Sequence, residues 1–185
     1  MKELSLNVLD IAKNSVKAGA TLIGIRLDEN AEMLTMTITD NGCGMKRQML
    51  EDVVDPFCTT RTTRKVGMGI PLLKLASEQT GGEVTITSRH ESEYPDEHGT
   101  EVVATFYKNH IDYTPLGDIV STVITLLQGS PEIDWEFSHG SEAFQVSMDT
   151  RQMREVLGND VPLNEPSILS WVEEYLSEQY KNNIM

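Results

Sequence analysis

Two polar residues near the start of the chain have the type and spacing of ligands for a hard metal ion. Asp10 and Asn14 are four residues apart, so on a helix they share one face, beside the apolar stripe of the predicted helix over 4–18. A carboxylate and a carboxamide offer only oxygen ligands, which suits Mg²⁺. Taken alone, the pair is more typical of the polar side of a surface helix.

A second cluster, Asp40-Asn-Gly-Cys-Gly44, comes directly after a strand-like segment. Its two glycines allow a backbone turn to approach a ligand closely. A buried Asp40 could accept a hydrogen bond from an exocyclic amine. By itself, however, an Asp-Asn-Gly sequence is also typical of an ordinary turn.

Hydroxyl groups, cations and glycines converge over 55–69, just before another predicted helix. The cations and glycines are Arg61, Arg64, Lys65, Gly67 and Gly69. The free N–H groups of a helix N-terminus favour phosphate. The segment is neither a P-loop nor a dinucleotide fingerprint, because it lacks the glycine and lysine spacing of the first and no strand directly precedes it. It also fits a mobile surface loop. His98-Gly99-Thr100, before the last strand of this half, carries little information alone.

The elements that must position these clusters predict an α+β fold. The first helix is followed by a hairpin, a short helix, a long loop, a helix and two further strands. The predicted strands are Thr21–Leu27, Met33–Thr39, Glu83–Arg89 and Glu101–Tyr107, and the second and third helices cover Lys46–Val54 and the segment ending at Gln79. This order predicts a two-layer α/β sandwich with a mixed, mainly antiparallel sheet covered by helices on one face.

Beyond residue 108 the pattern restarts. We predict a helix over Pro115–Leu127, a hairpin whose Trp135, Phe137 and Phe144 belong to the core, a short helix capped by Asp149 or Thr150, and a last helix near Pro166. We therefore expect an N-terminal domain over 1–108 and a helix–hairpin–helix–helix extension over 109–185. The extension carries no recognisable motif, and we expect it to pack on the first domain or to recruit a partner.

Composition excludes some classes of partner. The 185 residues contain 15 Lys and Arg against 29 Asp and Glu, a formal charge of −14. The chain therefore lacks the excess of positive charge by which nucleic-acid binders attract phosphates. Any bound anion should be small and held locally.

No apolar run approaches the ~20 residues of a membrane span. The two cysteines form no disulfide framework or metal spacing, and the N-terminus is charged where a signal peptide is apolar, so we predict a soluble cytoplasmic protein.

Jointly, the four clusters resemble the ATP-binding boxes of the GHKL superfamily, which includes gyrase, heat-shock chaperones, histidine kinases and mismatch-repair proteins. The matching segments are Asp10–Ala20 for the N box, Asp40–Met45 for the G1 box, Asp55–Thr60 for the F box and Gly67–Leu73 for the G2 box. The resemblance covers about residues 1–108. It implies the histidine kinase-like ATPase fold, with ATP and Mg²⁺ as ligands.

The resemblance implies a role for each matched position around the base and the metal. Asn14 would ligate a Mg²⁺ ion that bridges the phosphates, and Asp40 would accept a hydrogen bond from the adenine amine. Gly42 and Gly44 would let the backbone lie against the nucleotide. Thr100 would support the adenine, through water.

The remaining matched positions would cover the phosphates, at the end of a lid that spans Asp55–Val66. They are Gly67, Met68, Gly69 and Ile70, with Arg61 and Lys65 in the lid itself. Loop cations are also commonly just solvated, so the resemblance implies the glycines more directly than the cations.

One position departs from the family pattern. Hydrolysing members and serine kinases carry a Glu four residues before the N-box Asn, and this chain has Asp10, which is one methylene shorter. Asp10 is a candidate general base only if the acceptor oxygen comes within hydrogen-bond reach, which disfavours hydrolysis. A docked protein acceptor could still be phosphorylated if it supplied the geometry.

The sequence offers no phosphoacceptor domain before the first helix, and we expect the four histidines, His90, His98, His110 and His139, at the surface. This combination resembles the small anti-sigma-factor serine kinases. We therefore predict a protein kinase or ATP-gated regulator that acts on an unidentified protein partner, with no nucleic-acid or membrane partner and a homodimer as one possible assembly. The alternatives are a non-catalytic ATP-dependent switch and a slow ATPase.

Overall fold

One six-stranded sheet organises the computed structural model, which describes residues 3–54, 68–158 and 160–184. The strands are β1 (Leu22–Glu29), β2 (Met33–Asp40), β3 (Val84–Arg89), β4 (Gly99–Tyr107), β5 (Asp134–Gly140) and β6 (Gln145–Asp149). Their order across the sheet is β3-β4-β2-β1-β5-β6, and every described neighbouring pair is antiparallel except β1 and β5. The helices are α1 (Leu4–Lys17), α2 (Arg47–Val54), α3 (Gly69–Gln79), α4 (Ile119–Gly129), α5 (Thr150–Leu157) and α6 (Pro166–Ile184).

Alternation along the strands gives the sheet one apolar face. Ile25 lies opposite Ile38 on the neighbouring strand and beside Phe137 on the other side, and Ile38 lies opposite Val102. All four side chains are buried. Because side chains of directly paired residues share a face, these contacts run across four strands. Helices must cover this face, and α1 packs on β1 and β2 while α3 packs on β3 and β4. The predicted α+β fold with a mixed sheet is confirmed.

The first helix ends where the sequence predicts. Gly19 follows α1 with a φ of 75°, a left-handed conformation that glycine adopts without steric cost. The stripe that α1 buries includes Leu4, Val8 and Ile11. The same stripe continues to Ser15, so the last turn of the helix brings polar side chains over the end of β2.

The C-terminal hairpin extends the same sheet. Strand β5 runs parallel to β1, with Phe137 beside Ile25, and β6 forms the outer edge. Trp135 and Phe137 are buried, as predicted, whereas Phe144 is only partly buried and packs against the core. The proposed domain boundary at residue 108 stays a prediction.

The fourth helix begins later than the predicted Pro115. Gly117 has a φ of 77°, which is incompatible with a helix, and the next residue, Asp118, caps the helix by accepting a hydrogen bond of 2.9 Å from the N–H of Ser121. Helix α4 therefore starts at Ile119. Periodicity extended the predicted helix too far, because Leu116 fits the apolar pattern.

The predicted surface position of His139 is wrong. Its ring is 4% exposed, its Nδ1 lies 2.8 Å from the hydroxyl of Tyr180 on α6, and its Nε2 lies 3.3 Å from a carboxylate oxygen of Glu29. Burial lowers the pKa of His139, and Glu29 opposes that shift. The strand alternation carries His139 onto the apolar face beside Leu27.

Among the described residues, no helix has both the length and the apolar character needed to cross a membrane.

Candidate functional site

A pocket of about 770 Å³ opens between α1, the turn after β2, α2 and the start of β4. Its volume is in the range of small-molecule sites in proteins. Five of the residues selected from the sequence line it: Asn14, Asp40, Gly44, Ile70 and Thr100. Segments far apart in the sequence therefore converge on one cavity.

Asp40 is held in a fixed orientation at the end of β2. Ser15 Oγ donates a hydrogen bond of 2.5 Å to Oδ2 of Asp40, and the N–H of Gly42 donates one of 2.9 Å to Oδ1. Each carboxylate oxygen has a further lone pair. Asp40 can therefore accept another hydrogen bond from a ligand while both neighbours hold it.

A polar row interrupts the apolar face of the sheet at this end. Strand register puts Asp40 opposite Thr100, and Thr100 opposite Ser88. The hydroxyl oxygens of Ser88 and Thr100 are 2.9 Å apart, and Ser88 Oγ also accepts a hydrogen bond of 2.8 Å from the N–H of Met45. Asp40 and Thr100 thus form one polar end of the pocket, with Ser88 next to Thr100 but outside the lining, whereas Val102 and Ile70 contribute apolar surface nearby.

Contacts on two sides hold the turn after β2 in place. Gly42 is buried, and a Cβ added there would come within 2.9 Å of both Cβ and O of Ala18, at the end of α1. The N–H of Cys43 donates a 2.9 Å hydrogen bond to the same carbonyl. On the other side, Nδ1 of His98 lies 2.6 Å from the carbonyl oxygen of Gly42. A side chain at position 42 would therefore force the turn or the end of α1 to shift.

Gly44 has a different structural requirement. Its φ of 68° lies in the left-handed region, and a Cβ added there would meet the carbonyl group of Arg89 at the end of β3. Gly44 therefore allows the turn to pack closely against a neighbouring strand. Its contact with a nucleotide stays a prediction.

The start of α3 lies against the polar face of α1. A Cβ added at Gly69 would be 3.1 Å from Cβ of Asp10 and 3.7 Å from Nδ2 of Asn14. Asn14 is half-buried and lines the pocket, whereas Asp10 is exposed and is not among the lining residues. Met68 is also exposed.

Several predicted positions lie outside the described residues: Arg61, Lys65, Gly67 and the segment Asp55–Val66. Two other cations, Lys17 and Lys46, line the pocket.

Sequence reasoning assigned no role in the site to Ser15, Ser88 or His98. Ser15 follows the buried Ile11 by four residues, and Ser88 follows Ile86 by two on the same strand face. A polar residue in an otherwise apolar stripe was therefore a usable signal for both serines. No comparable signal existed for His98, because its contact with Gly42 joins residues 56 positions apart.

Comparison with known families identifies the class of protein. The sequence matches the family of histidine kinase-, DNA gyrase B- and HSP90-like ATPases over residues 2–110, more than half of the chain. The protein belongs to this family, whose domains bind ATP, and the predicted GHKL resemblance is confirmed. A search of curated protein sequences found no match.

Two solved structures, a MutL ATPase domain and a domain of a DNA repair protein, support the same fold. The ATPase domain of Aquifex aeolicus MutL, in complex with ADP, is similar with a TM-score of 0.55 and 15% identity, over 84% of this chain and 69% of that one. The N-terminal domain of a DNA repair protein is similar with a TM-score of 0.52 and 16% identity, over 86% of this chain and 58% of that one. The mycobacterial sensor histidine kinase MprB has 24% identity and a TM-score of 0.42, over 55% of this chain and 67% of that one.

Proposed function

We propose that this protein binds ATP with Mg²⁺ in the pocket between α1 and the turn after β2, and acts on a partner protein as a protein kinase or ATP-gated regulator. The observation that carries the proposal is the fixed carboxylate of Asp40, in a pocket that also contains Asn14. Asp40 recognises the base, and Asn14 is suited to bind the metal ion.

Asp40 accepts a hydrogen bond from the exocyclic amine of adenine. Its free lone pairs and its fixed orientation support this role. Thr100, its neighbour across the strands, supports the base through water, while Ile70 and Val102 contact the ring. A base with a carbonyl in place of the amine offers no donor to Asp40, so adenine is preferred to guanine.

Asn14 ligates Mg²⁺ through its carboxamide oxygen. Within the described residues, no group of three or more His, Cys, Asp and Glu side chains could hold a metal. This donor set fits Mg²⁺, which is commonly held by one or two protein oxygens, phosphate oxygens and water rather than by a protein cage. When bound, the ion neutralises negative charge on the phosphates.

The phosphates lie toward the start of α3, where Gly69 and Ile70 contribute backbone N–H groups. Lys17 and Lys46 line the same pocket and supply local positive charge in a chain of formal charge −14. Arg61, Lys65, Gly67 and Met68 cover the phosphates in this proposal, as the family resemblance implies.

Calorimetric titration with Mg·ATP tests this function. Wild type is expected to bind, Asp40→Asn to lose preference for ATP over GTP, and Asn14→Ala to lose the dependence of affinity on Mg²⁺. Equal, weak binding by wild type and Asn14→Ala contradicts the proposal. Asn109→Ala, an exposed asparagine outside the pocket, is the matched control.

One observation favours the second candidate, a non-catalytic switch. Asp10, the candidate general base, lies beside the start of α3, with its Cβ 3.1 Å from the position of a Cβ added at Gly69, but its carboxylate is one methylene shorter than the Glu that the resemblance implies for hydrolysing members. A general base must reach the proton that it removes. In single-turnover assays with γ-labelled ATP and candidate partners, labelled partner supports a kinase, whereas bound but unconsumed ATP supports a switch. Slow hydrolysis that rises in Asp10→Glu supports the third alternative, an ATPase.

A further inference from the structure

A second groove lies at the other edge of the sheet, between β6, α5 and α6. This C-terminal groove, of about 810 Å³, shares no lining residue with the proposed ATP pocket. Its apolar lining includes Met148, Met153, Ile168, Trp171 and Tyr175. Met148 and Met153 are buried at the base, and the two aromatic side chains stand at the rim.

Large apolar side chains are exposed around this groove. Val156 is 86% exposed, Trp171 52% and Tyr175 40%. Single exposed apolar residues are ordinary, but several around one concavity are typical of an interaction site. Trp171 and Tyr175 stack, with ring centroids 5.2 Å apart and planes at 10°. The stacking holds both rings in place, which reduces the entropy that a partner would lose on contact with them.

The adjacent sheet edge is closed to strand addition at its centre. The side chain of Gln179 accepts a hydrogen bond of 3.0 Å from the N–H of Ser147 and donates one of 3.1 Å to its carbonyl. An incoming strand would need these same backbone groups. The groove follows α6 from Ser167 to Tyr175, a rise of about 12 Å or two helical turns. Its dimensions suit the apolar face of a helix.

Charge decides which kind of helix fits. Residues 109–185 contain 3 Lys and Arg against 13 Asp and Glu, so this segment carries −10 of the formal charge of −14. Glu155 on α5 and Glu174 on α6 are exposed and directly precede the lining residues Val156 and Tyr175, and neither glutamate forms an ion pair with a described residue. Arg151, at the same end, is already bonded to Asp149 and Glu136. The surroundings therefore favour a cationic partner.

The same charges argue against a second copy of this chain. A twofold dimer through the groove would bring identical surfaces together. Glu155 and Glu174 of both copies would then approach acidic surface instead of basic surface, which is repulsive.

We propose that the C-terminal groove binds an amphipathic helix of a partner protein, with large apolar side chains on one face and Lys or Arg beside them. The apolar side chains contact Met148, Trp171 and Tyr175, and the cations approach Glu155 and Glu174. This site goes beyond the proposed ATP function and does not rest on it, because the two pockets have no residue in common.

A designed peptide provides the probe. It has about 15 residues, Leu at helical spacing on one face and Lys on the flanks, with fluorescein at one end. Its anisotropy is measured against the full chain at several salt concentrations. We expect saturable binding that weakens as salt rises, and binding at least about tenfold weaker for the same peptide with Glu in place of Lys. A peptide with Ser in place of Leu is expected not to bind.

Variants of the protein locate the site. Trp171→Ala is expected to lower the affinity for the basic peptide by about tenfold or more, because aromatic residues at the centre of an interface contribute that much to binding. Glu174→Lys is expected to reverse the preference for the basic peptide over the acidic one. Tyr94→Ala, which removes an aromatic side chain of similar exposure far from the groove, is the control. Thermal unfolding checks that each variant is folded.

Three results would overturn the proposal: no binding of the basic peptide, equal binding of the basic and acidic peptides, or unchanged binding by Trp171→Ala. Concentration-dependent dimerisation in sedimentation velocity that Trp171→Ala abolishes would also overturn it, because the groove would then be an interface between copies. Asn14→Ala is expected to bind the peptide like wild type, so failure of the ATP proposal and failure of this one are separate results.

Discussion

Ser15 donates a 2.5 Å hydrogen bond to Asp40 and joins the last turn of α1 to the end of β2. Ser15 itself is 4% exposed, so its hydroxyl is shielded from water and Asp40 is its hydrogen-bond partner. The bond links Asp40, which is proposed to bind adenine, to Ser15, the residue that follows Asn14. In the proposed function, base recognition and metal binding therefore both depend on the position of the same helix turn.

We predict that Ser15→Ala weakens ATP binding by about tenfold, because a hydrogen bond to a charged group contributes roughly 1.5 kcal/mol or more. Ser15→Thr keeps the hydroxyl and is expected to recover most of the affinity. Calorimetric titration with ATP measures the effect, with Ser170→Ala on the exposed side of α6 as the control. Unchanged affinity in Ser15→Ala would show that Asp40 is oriented without Ser15.

Local patterns predicted most of the fold. Alternation over Met33–Thr39 and Glu101–Tyr107 identified two central strands, and the glycine after α1 identified its end. The parallel pairing of β5 with β1 could not be predicted in this way, because it joins segments more than 100 residues apart. Long-range pairings depend on the packing of the whole sheet rather than on periodicity.

The candidate site was predicted from its sequence motifs, and the prediction was limited to the residues of those motifs. Asn14, Asp40 and Thr100 line one pocket, whereas the supporting contacts of Ser15 and His98 became visible only when distant segments met. A motif selects residues that face a ligand. The groups that hold those residues in place contact other parts of the chain, and their types carry less information.

Gly44→Ala is expected to destabilise the protein by about 2 kcal/mol or more. The φ of 68° is unfavourable for alanine, and the new Cβ would collide with the carbonyl group of Arg89, which is backbone and cannot move aside easily. Gly129→Ala is the matched control, since a Cβ there has no neighbour within 4 Å. That control should leave stability unchanged or raise it by up to about 1 kcal/mol. Urea unfolding followed by circular dichroism measures both, and equal stabilities would contradict the prediction.

His98→Ala is expected to weaken ATP binding less than Ser15→Ala, by severalfold, while leaving the free energy of unfolding nearly unchanged. The ring contacts the carbonyl of Gly42, so its loss frees the turn without directly removing a hydrogen bond to Asp40. His110→Ala, an exposed histidine outside the pocket, is the comparison. A loss of affinity in His110→Ala as large as in His98→Ala would mean that the contact with Gly42 is not the cause.

The buried His139 is expected to make stability depend on pH. Burial against Phe144 and Tyr180 lowers its pKa below the ordinary value of 6.5, Lys108 adds to this shift and Glu29 opposes it, so the unfolded chain binds a proton at a higher pH than the folded chain does. The contribution of neutral His139 is therefore fully present above pH 6.5 and is lost as pH falls from there through the folded pKa.

Urea unfolding between pH 7.5 and pH 5 should show falling stability in wild type and a flatter profile in His139→Gln, compared at each pH. His110→Gln, an exposed histidine, should keep the wild-type profile. Parallel profiles for wild type and His139→Gln would mean that other groups carry the pH dependence.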